Sequence, residues 1–117
     1  MRLIDFSAGQ AHQTGREGLT FAPVTAPLQA GAAFQAACFR LDPGHRWPCS
    51  TPVQVLLAVV EGTGWVSGEG GEPHPISAGE AAFWDADEER ETWTDVGLTA
   101  IVIEAEELRP YEPRSLS

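Results

Sequence analysis

The sequence predicts a single all-β domain, closed as a sandwich or barrel, and two observations carry that expectation. Nine prolines and twelve glycines punctuate the 117 residues at short intervals. The segments between them run about five to nine residues and are rich in Val, Ile, Phe, Thr and Trp, the composition of short strands bounded by turns. A chain of this length buries roughly two-thirds of its unfolded surface around one core. No internal repeat, linker or second domain is visible, so one domain is expected over 1–117, with its core at 19–105 and a C-terminal tail at 106–117.

Strands are expected at 19–24, 33–41, 53–60, 63–68, 73–77, 81–85, 90–95 and 98–105. "DPG" at 42–44 places Pro43 first in a turn and Gly44 where positive φ is easy. "EGTG" at 61–64 is read as a tight hairpin connection, and "GEGGEP" at 68–73 and "SAGE" at 77–80 as the closures of two further hairpins. "LTAIVIEA" reads as a central strand, because Ile101, Val102 and Ile103 form a continuous apolar run rather than an alternation. The prolines of "AEELRPYEPRSLS" argue against a long last helix.

Charge narrows the partners. Seventeen acidic against seven basic residues give a formal net charge of −10, a field that repels phosphate backbones and anionic membrane surfaces; no nucleic acid and no membrane are expected as partners. No run of eighteen apolar residues occurs, and the opening "MRLIDFSAGQ", with Asp5 early, lacks the apolar core of a secretory leader. Cys38 and Cys49 are too few for a disulfide framework. A cytoplasmic location follows as the expectation, with Cys38, inside "AAFQAACFRL", as a buried structural thiol.

Two short stretches carry a family likeness. "VVEGTGWV", ending a strand at Glu61-Gly62, and "SAGEAAFW", opening at Gly79, lie about seventeen residues apart, and the order of elements around them resembles the cupin superfamily, in particular short single-domain bacterial cupins. The likeness covers about 40–105 and implies a double-stranded β-helix (jelly-roll) barrel, with two motifs facing each other across a pocket and a homodimer paired through an N-terminal strand or sheet edge. The first cupin motif, G-x5-H-x-H-x3-E-x6-G, counted back from Gly62, puts Val55 at the glutamate and Thr51 and Cys49 at the two histidines. Gly44 falls one residue too close to match its opening glycine. The second, G-x5-P-x-G-x2-H-x3-N, puts Asp85, Asp87, Arg90 and Thr94 at the proline, glycine, histidine and asparagine.

None of the four ligand positions keeps its ligand type. Val55 has no donor and Thr51 is a feeble one. A guanidinium about 3 Å from a divalent ion, at an effective dielectric near 20, costs on the order of 10 kcal/mol before relaxation. No metal is therefore expected in the usual place and no cofactor is assigned. The alternative is a divalent metal on a shifted set drawn from His45, Cys49, Gln54 and His74, serving an oxygenase or isomerase; His12 and His45 beside polar turns, and His74 between two prolines, read instead as exposed and non-ligating.

Without a metal, the same positions describe a pocket for a small organic ligand, bounded by Cys49, Thr51, Gln54, Trp84, Arg90 and Trp93. Arg90 either turns its planar fork inward, where it suits a carboxylate or phosphate, or pairs with one of the five acids of "DADEERE". Either Val55 or, after a one-residue bulge, Gln54 faces the pocket. The tryptophans Trp47, Trp65, Trp84 and Trp93 either fill a core or wall the pocket. Cys49 has His45 and Arg46 nearby but no Cys-His-Asn pattern, so no catalytic residue is assigned. The leading expectation is a metal-independent binding or sensing module, ahead of the shifted-metal enzyme and of a structural or protein-binding barrel with a filled interior.

Overall fold

The computed structural model describes residues 1–112 and Leu116. Its strands are β1 (His12–Gln13), β2 (Leu19–Pro23), β3 (Phe34–Leu41), β4 (Arg46–Cys49), β5 (Gln54–Ser67), β6 (His74–Ser77), β7 (Ala81–Trp84), β8 (Arg90–Trp93) and β9 (Leu98–Ala105). Every pairing is antiparallel. One sheet runs β1-β2-β3-β9-β5, with β7 on the far side of β5. The second is made by the other half of β5 with β6 on one side and β8, then β4, on the other.

The fourteen residues of β5 are the hinge between the two sheets, and here the structure corrects the sequence reading. "EGTG" is no hairpin: Gln54 to Gly62 pair with β9, and Thr63 to Val66 pair with β6 in the same unbroken strand. A bulge between Val59 and Glu61 turns the strand, and Gly62 at φ +86° lets it cross from one sheet to the other. A Cβ on Gly62 would collide with the Gly97 carbonyl oxygen, and one on Gly64 with that of Trp93. These glycines are demanded by backbone passing close to backbone, a contact distant in sequence. "SAGE" is likewise a corner: β6 and β7 both pair with β5, in different sheets, and not with each other. "DPG" and "GEGGEP" turn as expected, closed by His45 N to Asp42 O at 3.2 Å and Gly71 N to Gly68 O at 3.0 Å.

Two strands have no counterpart in the sequence pattern. β1 is two residues long, and β4 contains Pro48, whose missing N–H an edge strand tolerates because its outer side has no neighbouring strand to bond. β9 lies between β3 and β5 as expected. Its run resolves into Leu98, Ala100 and Val102 buried inside, with Ile101 and Ile103 half-buried on the outer face.

The core is the inner surface of the barrel. Val55, Leu57 and Val59 from β5 meet Leu98, Ala100 and Val102 from β9, with Val66, Ile76 and Trp84 closing the cluster and Phe39, Trp47 and Ala82 packed against it. Leu57 is 1% exposed, so Leu57→Ala is expected to cost about 2–5 kcal/mol through lost burial and the cavity left behind. Urea denaturation checks this: the midpoint falls with little change in slope, whereas Ile101→Ala on the outer face costs clearly less. The segment after β9 forms neither helix nor strand through Glu112, and the rest of the expected tail, 113–115 and 117, lies outside the described residues. No helix among the described residues is long and apolar enough to cross a membrane.

Candidate functional site at the barrel mouth

Strand register decides which side chains share the interior. β4 pairs with β8 so that Cys49 stands opposite Arg90 and Trp47 opposite Thr92, while Pro48 stands opposite Glu91 and Arg46 opposite Trp93. Directly opposed residues lie on one face of a sheet. Arg90 and Thr92 are the buried members of β8, so Trp47, Cys49, Arg90 and Thr92 face in, and Arg46, Glu91 and Trp93 face out.

Arg90 is 6% exposed. Its Nη1 donates to Thr51 Oγ1 at 3.2 Å, and its guanidinium carbon lies 5.5 Å from the Trp47 ring centre and 5.6 Å from that of Trp84. Its Nη2 is buried and has no hydrogen-bond partner among the described residues. None of the five acids around it in sequence forms an ion pair with it: Glu88 accepts from the backbone N–H groups of Asp85 and Glu69, and Glu91 pairs with Arg46 at 2.5 Å, the one ion pair among the described residues. Asp87, at φ +64°, turns the loop so that its N–H donates to Thr51 O at 2.7 Å. That bond ties the two motif loops together and fixes Thr51 within reach of Arg90. The aromatic faces stabilise the cation by about 0.5–2 kcal/mol each; the orphaned donor costs about 1–3 kcal/mol. An anion at Nη2 would relieve that cost.

The remaining expected site residues divide. Trp84 faces in, 4% exposed, its Nε1–H donating to Ser67 O at 3.1 Å. Cys49 is half-buried on the same face as Arg90. Gln54 is not in the pocket. Val55, 1% exposed, takes the inward position, and Gln54 accepts from Leu108 N at 2.6 Å and holds the segment after β9. Trp93 is not in the pocket either: it lies on the outer face beneath the Arg46 guanidinium, 4.5 Å away.

Arg46 holds the Glu91 carboxyl below the usual carboxylate range by hydrogen bond, more than burial raises it. A lowered folded-state pKa contributes stability above the unfolded value, and that contribution disappears as pH falls through the folded one. Because the pair is largely exposed, its worth is under about 1 kcal/mol. Glu91→Gln should therefore lower Tm slightly at pH 7, with the gap closing in strong acid and in about 1 M salt.

Beside Trp47 an open cleft of about 430 Å³ lies between the edge strands of the first sheet and β4. Leu19, Phe21, Phe39, Trp47 and Pro48 give it apolar walls, and Gln13, Thr14, Arg16 and Gln35 a polar rim. Of these only Trp47 stands out in the sequence. Its place follows from alternation, since Trp47 and Cys49 are two residues apart on one strand; the others come from distant strands and carry no local signal. A second buried guanidinium atom, Nη1 of Arg40, also lacks a partner, but its cleft is shared with Asp42 and Glu61, which disfavour an anion.

A divalent ion does not fit these residues. The four motif positions offer a half-buried thiol, a hydroxyl engaged by Arg90, a hydrocarbon and a cation, and among the described residues no three His, Cys, Asp or Glu side chains converge. The shifted set is dispersed: the His45 ring covers Gly18, His74 is exposed on β6, and Gln54 faces away.

No protein-family model matches the sequence, and no curated protein matches it. Solved structures do. Ectoine synthase from P. lautus superposes with a TM-score of 0.75 at 15% identity, over 92% of this chain and 80% of that one. A Cupin 2 conserved barrel domain protein from Salinispora arenicola gives 0.74 at 11%, over 90% and 88%. The polyketide cyclase RemF from Streptomyces resistomycificus gives 0.73 at 19%, over 94% and 82%.

Proposed function

We propose that this chain, which has the fold of a small cupin jelly-roll barrel, is a metal-independent binding module for a small organic acid held at the barrel mouth. One observation carries the reading. Arg90, in the position of a cupin histidine, turns inward rather than toward its acidic neighbours and leaves Nη2 buried without a partner. A planar guanidinium fork is matched to a carboxylate or phosphate, and its charge-assisted bonds are roughly twice as strong as neutral ones. Thr51 orients the fork, and an open cleft adjoins Trp47, the ring against which the Arg90 guanidinium lies.

The neighbours include enzymes by name; among the described residues no three His, Cys, Asp or Glu side chains converge. A second reading has its own observation: the inner side chains form one cluster that fills the barrel, as in a structural or protein-binding role. That filling moves a ligand from the barrel axis to the mouth. Calorimetric titration of chelator-treated protein with acetate, benzoate and phosphate separates the readings. Saturable binding by the treated protein supports the proposal; binding only after iron, nickel, zinc or manganese is restored overturns it in favour of a metal site, and no binding under either condition favours the filled barrel.

A further inference from the structure

The thiol that faces Arg90 is placed to become its missing counter-charge. Cys49 stands directly opposite Arg90 in the pairing of β4 with β8, so the two side chains leave one face of the sheet with Cβ atoms about 5 Å apart. The head of the arginine stays over that position. Its guanidinium carbon is 5.5 Å from the ring centre of Trp47, two residues before Cys49, and its Nη1 donates at 3.2 Å to Thr51, two residues after it. A group that reaches both of these neighbours passes over the residue between them. In its reduced form Cys49 gives Arg90 nothing: the thiol donates only to Ser50 O, at 3.9 Å, while Nη2 stays buried without a partner among the described residues.

We infer that Cys49 is a site of oxidation by hydrogen peroxide, and that its anionic product, a sulfinate, accepts a hydrogen bond from Arg90 Nη2. Two independent observations meet here: a half-buried thiol open to a small oxidant, and beside it a guanidinium, 6% exposed, with one free donor. The chemistry runs in two steps. The Cys49 thiolate attacks one oxygen of peroxide, the O–O bond breaks, and the departing hydroxide takes up a proton and leaves as water; sulfur loses two electrons and carries the other oxygen as a sulfenic acid. Its sulfenate attacks a second peroxide in the same way, giving the sulfinate and a second water. No disulfide intercepts the sulfenic acid, because Cys38, the one other cysteine, is 2% exposed and pairs with Ile101 on the outer side of the first sheet. Like a carboxylate, a sulfinate has two oxygens sharing one negative charge, the form that a guanidinium pairs with. Oxidation thus withdraws the donor that the organic-acid reading gives to a ligand, but it does not require that a free acid bind.

The test treats the reduced full chain with hydrogen peroxide and follows each cysteine by peptide mass spectrometry. Cys49 is expected to gain two oxygens about tenfold faster than Cys38, and the oxidised protein to melt above the reduced one, a rise that Arg90→Met removes. Cys49→Asp checks the pairing without any oxidant, since it puts a carboxylate where the sulfinate would stand. Measured against its own background, this substitution should shift Tm roughly 4 °C or more in the favourable direction in the parent protein relative to Arg90→Met. Cys49→Asn, of the same shape without the charge, should show no such difference. Oxidation of Cys49 no faster than that of Cys38 overturns the modification site; equal Tm shifts for Cys49→Asp in the two backgrounds overturn the pairing with Arg90. Either failure leaves the organic-acid reading to its own titrations, and a failure of those titrations leaves the oxidation of Cys49 to this test.

Discussion

An Arg90→Met variant is expected to melt no lower than the parent protein and to bind organic acids far more weakly. Arg90 is 6% exposed, with one hydrogen bond to Thr51 and one terminal nitrogen without a partner. A buried cation without a counter-charge is held at a desolvation cost that its two flanking indoles only partly offset. Methionine replaces the aliphatic stem with an apolar, polarisable chain that ends about where Nε stands and removes the charge, and replacing buried charge by apolar side chains is often neutral or stabilising by about 1–4 kcal/mol. Binding should respond oppositely. Loss of a bidentate charged partner weakens an anion complex by about 2–3 kcal/mol, a factor of roughly 30 to 150. Scanning calorimetry and titration on one preparation read both effects. A variant that unfolds easily would mean that Arg90 is a structural keystone, contrary to the site proposed.

Gly62→Ala is expected to be among the most damaging single substitutions in the chain, at about 3 kcal/mol or more. Two costs combine at this position. Its φ of +86° is a conformation that L side chains rarely adopt, and the added Cβ runs into the Gly97 carbonyl oxygen, a backbone atom unable to move without breaking the pairing of Gly62 with Leu98. Gly70→Ala is the control. Gly70 has φ +90° but nothing within 4 Å of where its Cβ would stand, so it carries only the conformational cost, roughly 1–2 kcal/mol. Guanidinium denaturation of the two variants isolates the steric term as their difference. Equal costs would mean that β5 can shift at its corner without penalty.

The contrast between these glycines shows what is legible in the sequence. Strand periodicity and turn chemistry are local, so 19–24, 33–41, 73–77, 81–85 and 98–105 fall within a residue or two of the observed strands. The role of Gly62 is not local. "EGTG" has the composition of a hairpin turn, and only the passage of the Gly97 backbone across it shows that β5 runs straight through. The site divides in the same way. Cys49, Thr51 and Arg90 are legible because the cupin spacing picks out their positions, and Trp84 because it flanks the second motif. Trp93 is close to Arg90 in sequence, yet three residues along a strand put it on the opposite face, a parity already present in "RETW". Between Gln54 and Val55 the choice depends on the register with β9, which puts Val55 inside. The cleft itself, built by Leu19, Phe21 and Phe39 against Trp47, depends on β2 and β3 reaching β4 across the barrel, which no local pattern encodes.

The central claim is that the Arg90 guanidinium is an inward-facing anion receptor, and its own side-chain NMR signal tests this most directly. With the Arg90 Nε–Hε resonance assigned by its disappearance in Arg90→Met, chelator-treated protein is titrated with benzoate. The predicted result is a saturable shift of that one resonance, following the binding curve from calorimetry, while the exposed Arg46 signal stays in place. A resonance that does not move, or one that drifts without saturating alongside the surface arginines, would contradict it.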